Sequence, residues 1–130
     1  MWVEVMEVAA DPVNRSRHRV VLRTGEWRFP ALWPGPAPHV GAVRVVSLAC
    51  DTVAELGVTA FTDAPADRPV PAGLIAVEAV LRSVPDDGVG QFVLGAGGAI
   101  ALKVAGAGWQ AGQTVRLELG TISAFDTRIN

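Results

Sequence analysis

Val40-Gly41-Ala42-Val43-Arg44-Val45 and, later in the chain, Ala111-Gly112-Gln113-Thr114-Val115-Arg116 follow one plan: a glycine break, then an alternating run of β-forming residues. Three more pairs of segments repeat in the same order and at a nearly constant offset. Val3-Glu4-Val5 returns as Val77-Glu78-Ala79, and Val20-Val21-Leu22 returns as Phe92-Val93-Leu94. Ala49-Cys50-Asp51-Thr52 returns as Ala124-Phe125-Asp126-Thr127. Self-similarity at a fixed offset is the mark of a repeated structural unit. The repeated residues are those that build strands, so the repeat predicts architecture rather than chemistry.

Working outward from these runs, period-two alternation and β-branched content place strands at 2–8, 18–23, 27–32 and 42–49 in the first half. Thr24-Gly25-Glu26 is the turn between two of them. In the second half the same reading gives strands at 74–84, 91–94, 99–104, 113–119 and 121–126. Trp33-Pro34-Gly35-Pro36-Ala37-Pro38-His39 lacks ladder donors at three prolines and is predicted to be loop or polyproline-like. Pro85-Asp86-Asp87-Gly88 is a turn cluster. Thr52-Val53-Ala54-Glu55-Leu56, with Asp51 or Thr52 as cap and Gly57 as stop, is the best helical candidate, and 58–62 is a further strand candidate.

The expected fold is all-β. It is one domain over 1–130, made of a first repeat at 1–52, a connector at 53–73 and a second repeat at 74–130. Two units of about 55 residues are small for independent cores. A pseudo-twofold small β-barrel, or a compact sandwich, is therefore expected, because closure removes the edges that short sheets expose. The units resemble half of small β-barrels, oligonucleotide-binding folds among them, in strand length and glycine placement. No family motif is carried over with that likeness.

Composition narrows the class. Half of the 130 residues are hydrophobic and the net charge is −2, values that suit a folded domain and argue against disorder. No apolar run reaches the roughly 18 residues that span a bilayer. The acidic start, Met1-Trp2-Val3-Glu4, does not fit an export signal, so a cytoplasmic protein with no membrane partner is expected. Asn14-Arg15-Ser16 matches a glycosylation sequon without that export context. The single cysteine, Cys50, forms no intrachain disulfide and reads as a small core residue.

Several candidate chemistries fail on context. Val93-Leu94-Gly95-Ala96-Gly97-Gly98-Ala99-Ile100 looks like a dinucleotide-binding turn followed by an acid at Glu118. Its third small position is filled by Ile100, and too few residues follow for a crossover helix. A glycine-rich hairpin is expected there instead, and no cofactor. His18, His39 and Cys50 have no metal-ligand spacing, and Asp86-Asp87 reads as a solvated turn, so no metal is expected. Asp51 and Asp126 occupy equivalent repeat positions and could form a carboxylate dyad. The competing reading makes each Asp-Thr pair a turn cap, and it predicts a protein that is not an enzyme.

One segment breaks the repeat. Residues 1–48 hold six arginines against four acids, whereas the remainder holds five basic residues against nine acids. Arg15, Arg17, Arg19, Arg23 and Arg28 lie close to Trp27, Phe29 and Trp33. Arginine and tryptophan supply many interface hot spots, so Arg15, Arg17, Arg19, Arg23, Trp27, Arg28 and Trp33 are the predicted binding residues. A protein partner or a homo-oligomer is expected, with the chain an assembly subunit or an inhibitor. The alternative is a barrel whose arginines grip phosphates while the aromatics stack bases.

Overall fold

The computed structural model describes residues 1–83 and 87–127. Pro85 and Asp86 of the turn expected at 85–88 lie outside them. Among the described residues there are eleven strands and no helix. They are β1 (Trp2–Ala10), β2 (Arg17–Thr24), β3 (Trp27–Pro34), β4 (Val43–Cys50), β5 (Ala54–Glu55), β6 (Ala60–Phe61), β7 (Ile75–Leu81), β8 (Val89–Leu94), β9 (Ala99–Ala105), β10 (Thr114–Leu119) and β11 (Ile122–Asp126). The chain divides into two compact units. Among the described residues, unit 1 comprises 1–49, 96–98 and 122–127; unit 2 comprises 50–83, 87–95 and 99–121.

Unit 1 is a closed five-stranded barrel. Strands β1, β2 and β3 form an antiparallel meander, β11 joins β3 in parallel at Ser123–Leu32, and β4 lies between β11 and β1. The ring closes where Trp2, Val3 and Glu4 pair with Val45, Arg44 and Val43. Alternation fills the interior: Val3, Val5, Val20, Leu22, Phe29, Ala31, Val46, Ile122 and Ala124 are all buried. The barrel, rather than the sandwich, is therefore the architecture of this unit.

A bulge in β1 decides what the outer wall carries. The register shifts between Val5 and Glu7. An extra residue in a strand changes which side chains share a face. Without the shift, Glu4 and Glu7 would point to opposite sides. With it, Glu4 faces Arg23 and Glu7 faces Val21 on the outer side, while Val5 and Val8 pair with Leu22 and Val20.

The expected loop at 33–39 is corrected in its first residues. Strand β3 continues to Pro34, and Trp33 pairs with His18 and points inward. β3 meets β11 at the single pair Ser123–Leu32, so its second edge tolerates Pro30 and Pro34, which have no N–H.

In unit 2 the pairing runs β6-β10-β7-β8-β9, with β5 parallel to β9 through Ala54–Val104 and Glu55–Ala105. A single bridge, Leu56–Ala60, links the end of β5 to β6. Phe92, Leu94, Ile100, Leu102, Val115, Leu117, Leu81 and Ala79 form its core. Gly90 follows the inward parity of Phe92 and Leu94. A Cβ there would lie 2.8 Å from Val104 Cγ2 and 3.2 Å from Leu81 Cδ1, so any side chain at this position would force its core neighbours to shift. Trp109 meets Phe92 edge-on with ring centroids 5.8 Å apart, and its indole N–H donates to Ala105 O.

The glycine-rich run forms the β8–β9 hairpin, as expected. The helix expected over 52–56 is not formed. Ala54 is fully buried in a parallel pair with Val104. The turn after it is held by Thr59, whose hydroxyl accepts from Glu55 N at 2.9 Å and donates to Val53 O at 2.6 Å. Gly57 completes it at φ 83°, a left-handed value suited to glycine. Tertiary pairing outweighs the weak helical signals of this short segment.

Candidate functional site

The predicted binding residues fall on β2, β3 and the turn before β2. Arg19, Arg23 and Arg28 project from the outer wall, since their neighbours Val20, Leu22 and Phe29 fill the interior. Arg15 is exposed and makes no ion pair among the described residues. The other arginines are answered by acids. Arg23 Nη2 lies 2.5 Å from Glu4 Oε1, and Arg28 Nη2 lies 3.7 Å from Glu7 Oε2. Arg17 pairs with Asp11, and Arg19 Nε lies 3.9 Å from Asp11 Oδ1.

Asp11 is buried although charged. Its Oδ1 accepts from Val13 N at 3.0 Å, in an Asx turn that opens the β1–β2 connection. That bond, with the Arg17 hydrogen bond and the charges of Arg17 and Arg19, holds its carboxyl below the usual aspartate value against the opposing effect of burial. The stripe is thus a lattice of mixed sign, and Asp11 fixes the direction of its basic end.

The two tryptophans behave differently from a presented aromatic face. Trp33 is 3 % exposed and belongs to the barrel core. Trp27 is half-buried and stacks on Phe29, with centroids 4.0 Å apart and planes 20° from parallel. The tryptophan that the outer wall does present is Trp2, 68 % exposed, near Val43 at 55 %. Trp2, Val3, Glu4, Arg23, Thr24 and Val43 line a hollow of about 360 Å³. The alternation of β1 was enough to put Trp2 opposite to Val3 and Val5. Sequence reading concentrated on the arginine cluster and missed it.

The two Asp-Thr pairs lie in different units. Asp126 Oδ2 is 3.5 Å from Arg44 Nε, and Thr127 donates from both its backbone N and its hydroxyl to Val45 O, at 3.0 and 2.9 Å. Asp51 is exposed; Thr52 accepts from Gly120 N at 2.9 Å and from Cys50 Sγ at 3.3 Å. Both threonines therefore tie strand ends to neighbouring backbone or side chains. Cys50 is half-buried and Phe125 is 45 % exposed, so this repeated position is not the core site the sequence suggested.

Unit 2 contains a charged group that no repeat argument singled out for structure. Glu118 is buried on β10, with its side chain 3 % exposed. Arg68 Nε and Nη2 donate to its Oε2 and Oε1 at 2.9 and 3.4 Å, and Arg116 Nε lies 3.2 Å from Oε2. The Arg68 hydrogen bond is the main cause that holds the Glu118 carboxyl below its usual value; the charges of both arginines add to it and burial opposes it. The guanidinium of Arg68 also lies 4.2 Å over the Phe61 ring.

Among the described residues no group of three or more His, Cys, Asp or Glu could hold a metal ion, and no helix is long and apolar enough to cross a membrane. Comparison with protein-family models, curated proteins and solved structures gave no match to this chain.

Proposed function

We propose that this protein is a non-enzymatic β-barrel module that binds another protein through the outer wall of unit 1, as an assembly subunit or an inhibitor-type partner. The observation that carries the reading is Trp2. Trp2 is two-thirds in solvent, and it borders a hollow that Val43 and the Arg23–Glu4 pair also line, so the exposed ring, the valine and the ion pair form one contiguous surface. Protein interfaces are enriched in tryptophan and arginine, with an apolar centre and a polar rim. Arg19, Arg23 and Arg28 supply such a rim; Trp27 and Trp33 serve the interior.

The oligonucleotide-binding alternative has one point in its favour, the closed five-stranded barrel of unit 1, an architecture that nucleic-acid binders also use. The pairing of Arg17, Arg19, Arg23 and Arg28 with Asp11, Glu4 and Glu7 counts against it, because a phosphate would compete with those acids. The test is affinity capture from the native host with the full chain, after nuclease treatment. A retained polypeptide is expected to be lost with Trp2→Ala and kept with Lys103→Ala. A truncated hot-spot tryptophan weakens binding by about 2 kcal/mol or more, roughly thirtyfold. Retention that disappears with nuclease, or binding to single strands that falls steeply with salt, would overturn the protein reading in favour of nucleic acid.

We also propose a tandem duplication as the origin of the two units. Strands β1-β2-β3 and β7-β8-β9 are both antiparallel meanders, with β4 beside β1 and β10 beside β7. In each unit the third meander strand receives a parallel neighbour, β11 on β3 and β5 on β9. The correspondence of strand order supports a common ancestral unit of four strands, completed by a fifth that follows the fourth strand of the other copy.

A further inference from the structure

We propose that unit 2 carries a binding site for a carboxylate borne on an apolar body, with Arg68 as its anion-recognising group and the Phe61 side of the 56–68 segment as its wall. This goes beyond the protein-binding role of unit 1 and rests on different residues. The site is a hollow of about 400 Å³ lined by Leu56, Ala60, Phe61, Ala64, Pro65 and Arg68, with Gln113 and Asp63 also on its lining. Its walls are chiefly aliphatic or aromatic, which is the usual character of a small-ligand site with few polar groups to orient the ligand.

The chemistry follows from how Arg68 is used. A guanidinium offers two edges on which a carboxylate can be held in bidentate fashion. Arg68 spends its Nε–Nη2 edge on Glu118. Its Nη1 makes no hydrogen bond among the described residues, and 36 % of the side chain remains exposed. The Nη1–Nη2 edge is therefore available. The positive charge is available too, because Glu118 is shared with Arg116. The Phe61 ring under the guanidinium restricts its plane, so the edge is pre-oriented rather than free to swing.

Asp63 is the one opposing charge on the lining. It is exposed, it makes no ion pair with Arg68, and its carboxylate accepts from Thr62 Oγ1 at 3.4 Å. It weakens the attraction for an anion without occupying the Arg68 edge. The same chemistry could be brought by a free organic acid or by the carboxyl terminus of a peptide, and the probes separate these sources.

The test is a titration of the full chain followed by amide nitrogen–proton correlation spectra. The probes are phenylacetate, phenylacetamide, and an N-acetylated dipeptide ending in phenylalanine, as free acid and as amide. Saturable shifts at the amides of Gly57, Phe61 and Gln113 are expected with the acids and not with the amides. Saturation by phenylacetate alone assigns the site to free acids, and saturation by the peptide acid alone assigns it to chain termini; either supports the proposal. Arg68→Lys keeps a positive charge but loses the second N–H of the edge, and should weaken binding about tenfold. Asp63→Asn removes the opposing charge without touching the Glu118 cluster, and should tighten it. No saturable shift with any acid, equal response to acid and amide, unchanged affinity in a folded Arg68→Lys, or weaker affinity in Asp63→Asn would each overturn the proposal.

Discussion

At the scale of single residues, Gly90 and Glu118 carry the most specific consequences. Gly90→Val places two methyl groups where a Cβ alone already lies 2.8 Å from Val104 and 3.1 Å from Phe92. Overpacking of this kind costs about 1–3 kcal/mol, so denaturant melts should show a lowered midpoint with an unchanged slope. Glu118 and Asp11 govern the acid limb. Both carboxyls are held below their ordinary values by arginines and, for Asp11, first by the Val13 N–H. A depressed folded value means that the stabilisation is fully present above the unfolded value, about pH 4, and is lost as pH falls through the folded value. The melting temperature should therefore hold steady from neutrality to mildly acid solution and drop below about pH 4. Glu118→Gln, which cannot titrate, should be less stable at neutral pH and should show a shallower acid drop, measurable by circular dichroism across pH.

At the scale of elements, strand β11 is the most informative. It closes unit 1 although it follows all of unit 2 in the chain. Among the described residues it meets β3 at the parallel pair Ser123–Leu32, buries Ile122 and Ala124, and is followed by Thr127, which donates to Val45 O of β4. A chain ending before Ile122 should lose hydrogen-exchange protection along the edges of β3 and β4, while β7 and β8 serve as the internal reference. Equal protection in both chains would show that β11 is dispensable to the barrel. The elements also show what a sequence alone reveals. β1 to β4 and β7 to β11 are long enough for alternation to be read, and their expected limits lie within a few residues of the observed ones. β5 and β6 have two residues each, too few for a period, and Thr52-Val53-Ala54-Glu55-Leu56 carries helix-compatible residues. Cross-strand register is likewise invisible from one strand, and the β1 bulge that brings Glu4 and Glu7 to the arginines is a register feature. The basic stripe was legible; its neutralisation was not. The same holds for Trp33, whose prolines signalled a loop while its own bulk was needed inside.

At the scale of the whole molecule, scaffold and proposed recognition fall on different residues. The alternating apolar residues of the strands fill the two interiors. Among the described residues the outer wall carries two exposed aromatics, Trp2 at 68 % and Phe125 at 45 %, and of these Trp2 borders the hollow that the Arg23–Glu4 pair also lines. Removing Trp2 should leave the fold intact, because its ring contributes little burial, so Trp2→Ala should match the wild-type melting temperature within the error of the measurement. The most direct measurement of the central claim is site-specific photocrosslinking in the native host, with a photoreactive residue at position 2 and, as control, at Lys103 on the outer side of β9. The account predicts one discrete crosslinked polypeptide from position 2 and none from position 103. Crosslinks of equal strength from both positions, or crosslinks to nucleic acid alone, would contradict it.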